Sequence, residues 1–316
     1  MSTRTSRWTA SLAAAATAAV LTGCGAGDDG SAEGSDRLTV LAGFYPLEWT
    51  AARVGGEHVA VSSLTPPGAE AHDLELTPKD VTAVAEADLL VYLDGFQPAL
   101  DEAAGSEGGD SAWDAGSAAD LVAGEAHEHA EDEQAEEEHA DEEAVDPHFW
   151  LDPTRLAAVG DALADRLADL DPDNAAAYEE NAAALRGDLE ALDQEMETAL
   201  ATCSVSTLVT SHDAFGYLGD RYGLEVVGIS GLSPSQEPDP AQLAEIATLV
   251  SDRGITTVYT ETLVDPAVAE TVAEEAGART AVLDPIEGLT DGSEGEDYLQ
   301  VMRANLATLQ EGQSCS

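Results

Sequence analysis

The sequence predicts an α/β protein of two lobes, each built on a mainly parallel sheet flanked by helices and bridged by one long rigid helix. Three observations carry this expectation. Short apolar runs alternate with helical patterns along both halves of the chain, the rhythm of parallel strands joined by covering helices. Beyond the N-terminal segment about 280 residues remain, enough for two domains of ordinary size. Between the halves lies an unbroken helical stripe of Tyr178, Leu185, Leu189, Leu192, Met196 and Leu200. At 1.5 Å per residue that helix runs roughly 40 Å, long enough to cross between two domains.

Residues 1–24 read as a processing signal. Arg4 and Arg7 precede an apolar stretch from Trp8 to Leu21, which closes in Leu21-Thr22-Gly23-Cys24. The stretch is too short to span a membrane, and small residues mark a cleavage point. A cysteine at that point resembles a bacterial lipobox, so Cys24 is expected to be the lipidated first residue of the mature chain. Residues 25–36 are rich in Gly, Ser, Asp and Glu, as befits a flexible tether. The expected location is outside the cytoplasmic membrane, anchored to its outer face.

The first lobe is expected over residues 37–170. Leu38–Ala42, His58–Leu64 and Leu89–Leu93 read as strands, and Pro46–Val54 as a helix. Thr77-Pro78-Lys79-Asp80 opens another helix, with a cap, a proline at the first helical position and an acid two residues later. From Gly105 to Ala144 periodicity is lost, so residues 105–144 are expected to be an acidic, His-rich loop. Asp152-Pro153 caps a helix with Leu156, Val159, Leu163, Leu167 and Leu170 on one face. Residues 171–202 form the connecting helix. In the second lobe, 203–316, strands are expected at Thr207–Thr210, Leu224–Ile229, Ile255–Tyr259 and Arg279–Leu283, with helices between them and a last one over Asp297–Leu309.

Twelve basic residues against 63 acidic ones give a net charge of -51. Such a chain repels polyanions, which makes nucleic acid and anionic lipid poor candidate partners. Apart from Cys24, only Cys203 and Cys315 are present. In an exported chain two such distant cysteines are expected to form one disulfide, and a zinc-ligand role for them is the weaker reading.

Chemistry concentrates in the histidines. Of seven, three stand alone in short framed segments: Pro-Gly-Ala-Glu-Ala-His72, Asp-Pro-His148-Phe-Trp-Leu-Asp-Pro and Ser-His212-Asp-Ala-Phe-Gly-Tyr. Neutral imidazole is a common ligand of zinc and neighbouring metals. His72 and His212 follow predicted strands, as does Asp284 in Leu-Asp284-Pro, while His148 precedes a helix cap. Ligands of open α/β sheets gather beyond the carboxyl ends of strands. His72, His148, His212 and Asp284 are therefore the candidate set: three nitrogens and one oxygen suited to Zn²⁺. Glu70 and Glu261 are spare carboxylates able to orient an imidazole. His127, His129 and His139 lie among eleven acidic residues in Glu125–Glu143 and form a candidate accessory site of weak affinity.

These motifs, in this order, resemble the ZnuA-type zinc-binding lipoproteins, the solute-binding subunits of zinc and manganese ABC importers. The resemblance runs from about Leu38 to Leu309. It implies two α/β lobes bridged by one rigid helix, metal held in the cleft between them, and delivery to a membrane permease by a monomer. It implies His72, His148 and His212 as ligands, with Asp284 or water completing the set, and a Cys203–Cys315 disulfide. A third histidine where manganese sites favour oxygen points to Zn²⁺, with Mn²⁺ or a broad divalent-metal role as the alternative. Less favoured are a surface metal buffer or adhesin and a secreted zinc hydrolase. The hydrolase lacks a His-Glu-x-x-His helix and a general base beside a ligand.

Overall fold

A computed structural model of the chain describes residues 37–122 and 145–316. Cys24, the signal and tether segments, and the accessory His127, His129 and His139 lie outside the described residues. No described helix is long and apolar enough to cross a membrane.

The first half runs β1 (Leu38–Ala42), α1 (Tyr45–Gly55), β2 (Val59–Ser63), α2 (Pro78–Glu86), β3 (Leu89–Tyr92), α3 (Pro98–Ala103), β4 (Ala112–Asp114) and α4 (Gly116–Ala119). Two long helices follow, α5 (Pro153–Leu170) and α6 (Ala175–Leu200). The second half runs β5 (Thr207–Thr210), α7 (Gly216–Tyr222), β6 (Glu225–Gly228), α8 (Pro240–Arg253), β7 (Thr257–Thr260), α9 (Ala267–Ala276), β8 (Arg279–Val282) and α10 (Tyr298–Gly312).

Each half carries one four-stranded, wholly parallel sheet, ordered β2-β1-β3-β4 and β6-β5-β7-β8. The orders are equivalent, so each sheet reverses its direction of growth at its first strand. Such switch points leave a crevice beyond the carboxyl ends of the strands. Central strands are buried on both faces, as a parallel sheet requires: Val40, Leu41 and Ala42 in β1 and all of β5.

Local chemistry sets the helix starts. At α2, Thr77 and Asp80 cap each other reciprocally, and Pro78 supplies a helical φ where no amide is needed. Asp152 accepts from the Thr154 amide at 2.8 Å to open α5. The 26 residues of α6 extend about 39 Å. Its buried stripe from Tyr178 to Leu200 packs on α1 and α5 of the first half and on α10 of the second. One hydrophobic core therefore runs through both halves, including Phe44, Trp150, Leu189, Leu218 and Tyr298.

One stretch differs from expectation. Residues 105–122, read from sequence as part of a loop, contain a helical turn, β4 and α4. β4 adds to the sheet edge through Leu90–Ala112, Val91–Trp113 and Tyr92–Asp114. Three residues are too few to show a strand period, and their Gly- and Ser-rich surroundings hide them further. Cys203 and Cys315 are joined, tying the start of the second half to the segment after α10.

Candidate metal centre

Four side chains converge beyond the strand ends, two from each half. His72 lies on the loop after β2. Buried Gln97 holds that loop, donating to Thr65 Oγ1 at 3.0 Å and to the Ala71 carbonyl at 2.9 Å. The Glu70 carboxylate accepts the His72 amide at 3.1 Å, and the His72 ring meets Phe96 edge-on at 4.5 Å. His148, wholly buried, follows Asp146-Pro147. Asp146 Oδ1 accepts the His148 amide at 2.9 Å and lies 2.8 Å from Nδ1.

His212 stands two residues past the end of β5, and Glu261 directly after β7 backs it with both oxygens. Oε1 accepts the His212 amide at 3.0 Å, and Oε2 lies 2.7 Å from Nδ1. A carboxylate only accepts, so Asp146 and Glu261 each require a proton on Nδ1 and leave Nε2 as the free lone pair or second donor.

Glu287 is delivered by the segment after β8. There Asp284 is fully engaged: Oδ1 accepts the Ile286 amide at 2.8 Å and Oδ2 accepts the Ser293 hydroxyl at 2.7 Å. Asn305 clamps the Asp284 backbone, accepting its amide at 2.9 Å and donating to its carbonyl at 2.7 Å. Trp150 reaches across from the first half and donates to the Pro285 carbonyl at 2.7 Å. Ile286 is thereby held at φ 60°, a left-handed conformation that disfavours a β-branched residue. Such strain costs on the order of 1–3 kcal/mol and persists only where surrounding contacts fix it. It turns Glu287 into the centre.

Glu287 Oε1 lies 3.5 Å from His72 Nε2, 3.6 Å from His148 Nε2 and 3.2 Å from His212 Nε2. The Nε2 atoms of His148 and His212 are 3.3 Å apart, and all four ligand atoms fall within 4.8 Å of one another. Zinc–ligand bonds of about 2.0–2.2 Å give a tetrahedron with edges of about 3.3–3.6 Å. The three Glu287–imidazole separations and the His148–His212 separation, 3.2–3.6 Å, are close to those edges. Both His72 Nε2 and Glu287 Oε1 are buried without a hydrogen-bond partner in the protein, a costly arrangement unless a cation completes it.

Charge is tuned by the same contacts. Burial lowers the pKa of His72, and its contact with Glu287 only partly offsets this. Burial also opposes charge on His148, but Asp146 and Glu287 outweigh it and raise the pKa. At His212 burial is overcome by Glu261 and then Glu287, which raise the pKa well above the ordinary imidazole value. Burial would raise Glu287, yet His148, His212 and His72 hold it well below the usual carboxylate range. Glu70 is pushed up to about 8 by burial and by the neighbouring Glu287 charge.

The structure thus brings His72, His148 and His212 together and does not bring Asp284 to them. Asp284 has spent both oxygens on its own turn, the ordinary use of Asp before Pro, and Glu287 occupies the position expected for it. Glu261 contacts the His212 ring, while Glu70 accepts the His72 amide and neighbours the Glu287 carboxylate. Sequence reading missed Glu287 and Asp146. Each had a faint signal: Asp146 sits two residues before His148, and Glu287 three after Asp284.

A family model described as the periplasmic component A of a zinc-uptake complex matches residues 40–312. The chain is 34% identical over 313 residues to the high-affinity zinc uptake system protein ZnuA of Bacillus subtilis, covering 96% of this chain and 97% of that protein. It is 35% identical over 285 residues to the zinc-binding lipoprotein AdcA of Streptococcus pneumoniae, matching 87% of this chain and 56% of AdcA, so it spans about half of that longer relative. The zinc-bound ZnuA-like domain of S. pneumoniae AdcA superposes with a TM-score of 0.71 at 31% identity, over 88% of this chain and 99% of that one. The chain belongs to the ZnuA family of zinc-uptake components.

Proposed function

We propose that this protein captures Zn²⁺ outside the cytoplasmic membrane at His72, His148, His212 and Glu287 and passes it to the permease of an ABC importer. The observation that carries the reading is one buried, unpartnered carboxylate oxygen facing three imidazole Nε2 atoms at 3.2, 3.5 and 3.6 Å. Zinc is cargo here and undergoes no bond-making chemistry; the cycle is binding and release.

Three nitrogens and one oxygen at tetrahedral spacing favour zinc over manganese, which prefers a larger, oxygen-rich shell. Asp146 and Glu261 aim the Nε2 lone pairs of His148 and His212, and Glu287 supplies one negative charge. Protons held by the raised imidazoles leave as the metal enters. Lipidation at Cys24, a tether over residues 25–36 and weak zinc binding by His127, His129 and His139 complete the proposal. So does a division into a first lobe (37–170), a connecting helix (171–202) and a second lobe (203–316), working as a monomer.

Native mass spectrometry of the fragment beginning after Cys24, titrated with Zn²⁺ against excess Mn²⁺, tests the reading. One zinc retained against manganese supports it. Preferential manganese retention would replace it with the manganese alternative, and no tight metal at all would overturn the capture site.

A further inference from the structure

Asp146, which backs the His148 imidazole, is itself held from the opposite half of the molecule. Tyr217, in the first turn of α7, is buried to 2% exposure. Its hydroxyl accepts the Val122 amide at 2.9 Å and donates to the Asp146 carbonyl at 2.8 Å. Val122 and Asp146 also pair directly, the Asp146 amide reaching the Val122 carbonyl at 3.1 Å. The Arg155 guanidinium covers the Tyr217 ring at 4.7 Å and donates to the Ala119 carbonyl at 2.8 Å. The adjoining Gly216 explains the close fit. A Cβ built there would lie 2.8 Å from Asp146 Oδ2, nearer than non-bonded atoms sit.

We propose that Tyr217, with Gly216, is a positioning element for zinc. It acts across the two halves through Asp146 to fix the His148 imidazole, and so sets the affinity of the centre without touching the metal. This role rests on the zinc-capture reading above. The chain path gives the coupling a second consequence. His212 lies four residues before Gly216, so one short segment both presents a ligand and aligns the support of another. Two ligands from different halves are thereby placed by one local structure. Removing the hydroxyl leaves the Val122 amide and the Asp146 carbonyl without that partner, and Asp146 gains freedom to rotate from Nδ1. Supports of metal-bound imidazoles typically change affinity by 10- to 100-fold when lost.

The test measures Zn²⁺ affinity by chelator competition, and the visible spectrum of the Co²⁺-substituted centre, in the full mature chain. Wild type, Tyr217→Phe, Gly216→Ala, Asp146→Ala and the Tyr217→Phe/Asp146→Ala double variant are compared. Tyr217→Phe is expected to weaken zinc about tenfold and to alter the Co²⁺ bands. In the Asp146→Ala background the same change should cost less than about twofold, the non-additivity of groups acting in series. Gly216→Ala removes no hydrogen bond and meets only the end of a side chain, so its melting temperature should hold while its affinity falls. Wild-type affinity in Tyr217→Phe and Gly216→Ala, or equal cost of Tyr217→Phe with and without Asp146, overturns the proposal and leaves the capture site standing. If Tyr217→Phe fails to fold, the Gly216→Ala result decides. Failure of the wild type to bind zinc overturns both readings together.

Discussion

Asp146 and His148 meet through a single oxygen, Asp146 Oδ1, which takes the His148 amide at 2.9 Å and faces its Nδ1 at 2.8 Å. Backbone and ring are fixed together, so the imidazole has neither a free tautomer nor a free χ angle. Asp146→Ala is expected to weaken zinc 10- to 100-fold. Competition against a chromophoric chelator reads the loss, and unchanged affinity would exclude the role.

Glu287 and Asp284 should separate cleanly. Glu287→Gln keeps the shape but removes the one anionic ligand, so zinc affinity is expected to fall at least about tenfold while the fold is retained. Asp284→Ala strips acceptors from the buried Ile286 amide and the Ser293 hydroxyl. It should cost roughly 1–3 kcal/mol of stability per unsatisfied buried group and still leave one bound zinc. Urea unfolding of the apo proteins, run beside a zinc titration, distinguishes the two.

The pKa directions give a pH dependence with a definite sign. His212 and His148 are raised in the folded apo protein. Their stabilising protons are fully present below the unfolded imidazole value and are lost as pH rises through the folded ones. Glu287 is depressed, so its contribution is present above the unfolded carboxylate value and lost as pH falls through the folded one. Zinc competes with the imidazole protons. Affinity is therefore expected to fall from pH 7 to pH 5, with proton release on binding at pH 7. Calorimetry in buffers of different ionisation enthalpy measures the released protons. A flat affinity profile would contradict three-imidazole ligation.

The Cys203–Cys315 bond closes a span of 112 residues. Reduction is expected to cost about 2–5 kcal/mol of stability through the freed unfolded chain. Neither sulfur belongs to the ligand cluster, so the affinity of the remaining folded protein should not change. Denaturant midpoints with and without reductant, paired with zinc titrations, check both halves of the statement.

Much of this was legible because apolar burial writes itself into sequence. β1 and β5 are buried on both faces and read as short apolar runs, while α6 shows its stripe over about six turns. β4 was not legible, since three residues at a sheet edge carry too little pattern. In the centre, His72, His148 and His212 stood out by scarcity. Glu287 did not, because one functional carboxylate is hard to see among 63 acidic residues. Its direction is set by the left-handed Ile286 and by contacts from Asn305 and Trp150, which are distant in sequence. Asp146 was hidden for a related reason: an acid before proline is ordinary turn chemistry until a ring is found against it.

The division of ligands between the halves has a consequence for biosynthesis. A nascent chain that has reached only α6 owns His72 and His148, and an isolated second half would own His212 and Glu287. Either fragment holds only two of the four groups of the cluster, a poor competitor for zinc at that centre. The strong chelate comes into being only when both halves have closed around α6. Loading at this cluster would therefore report that both halves are present and closed.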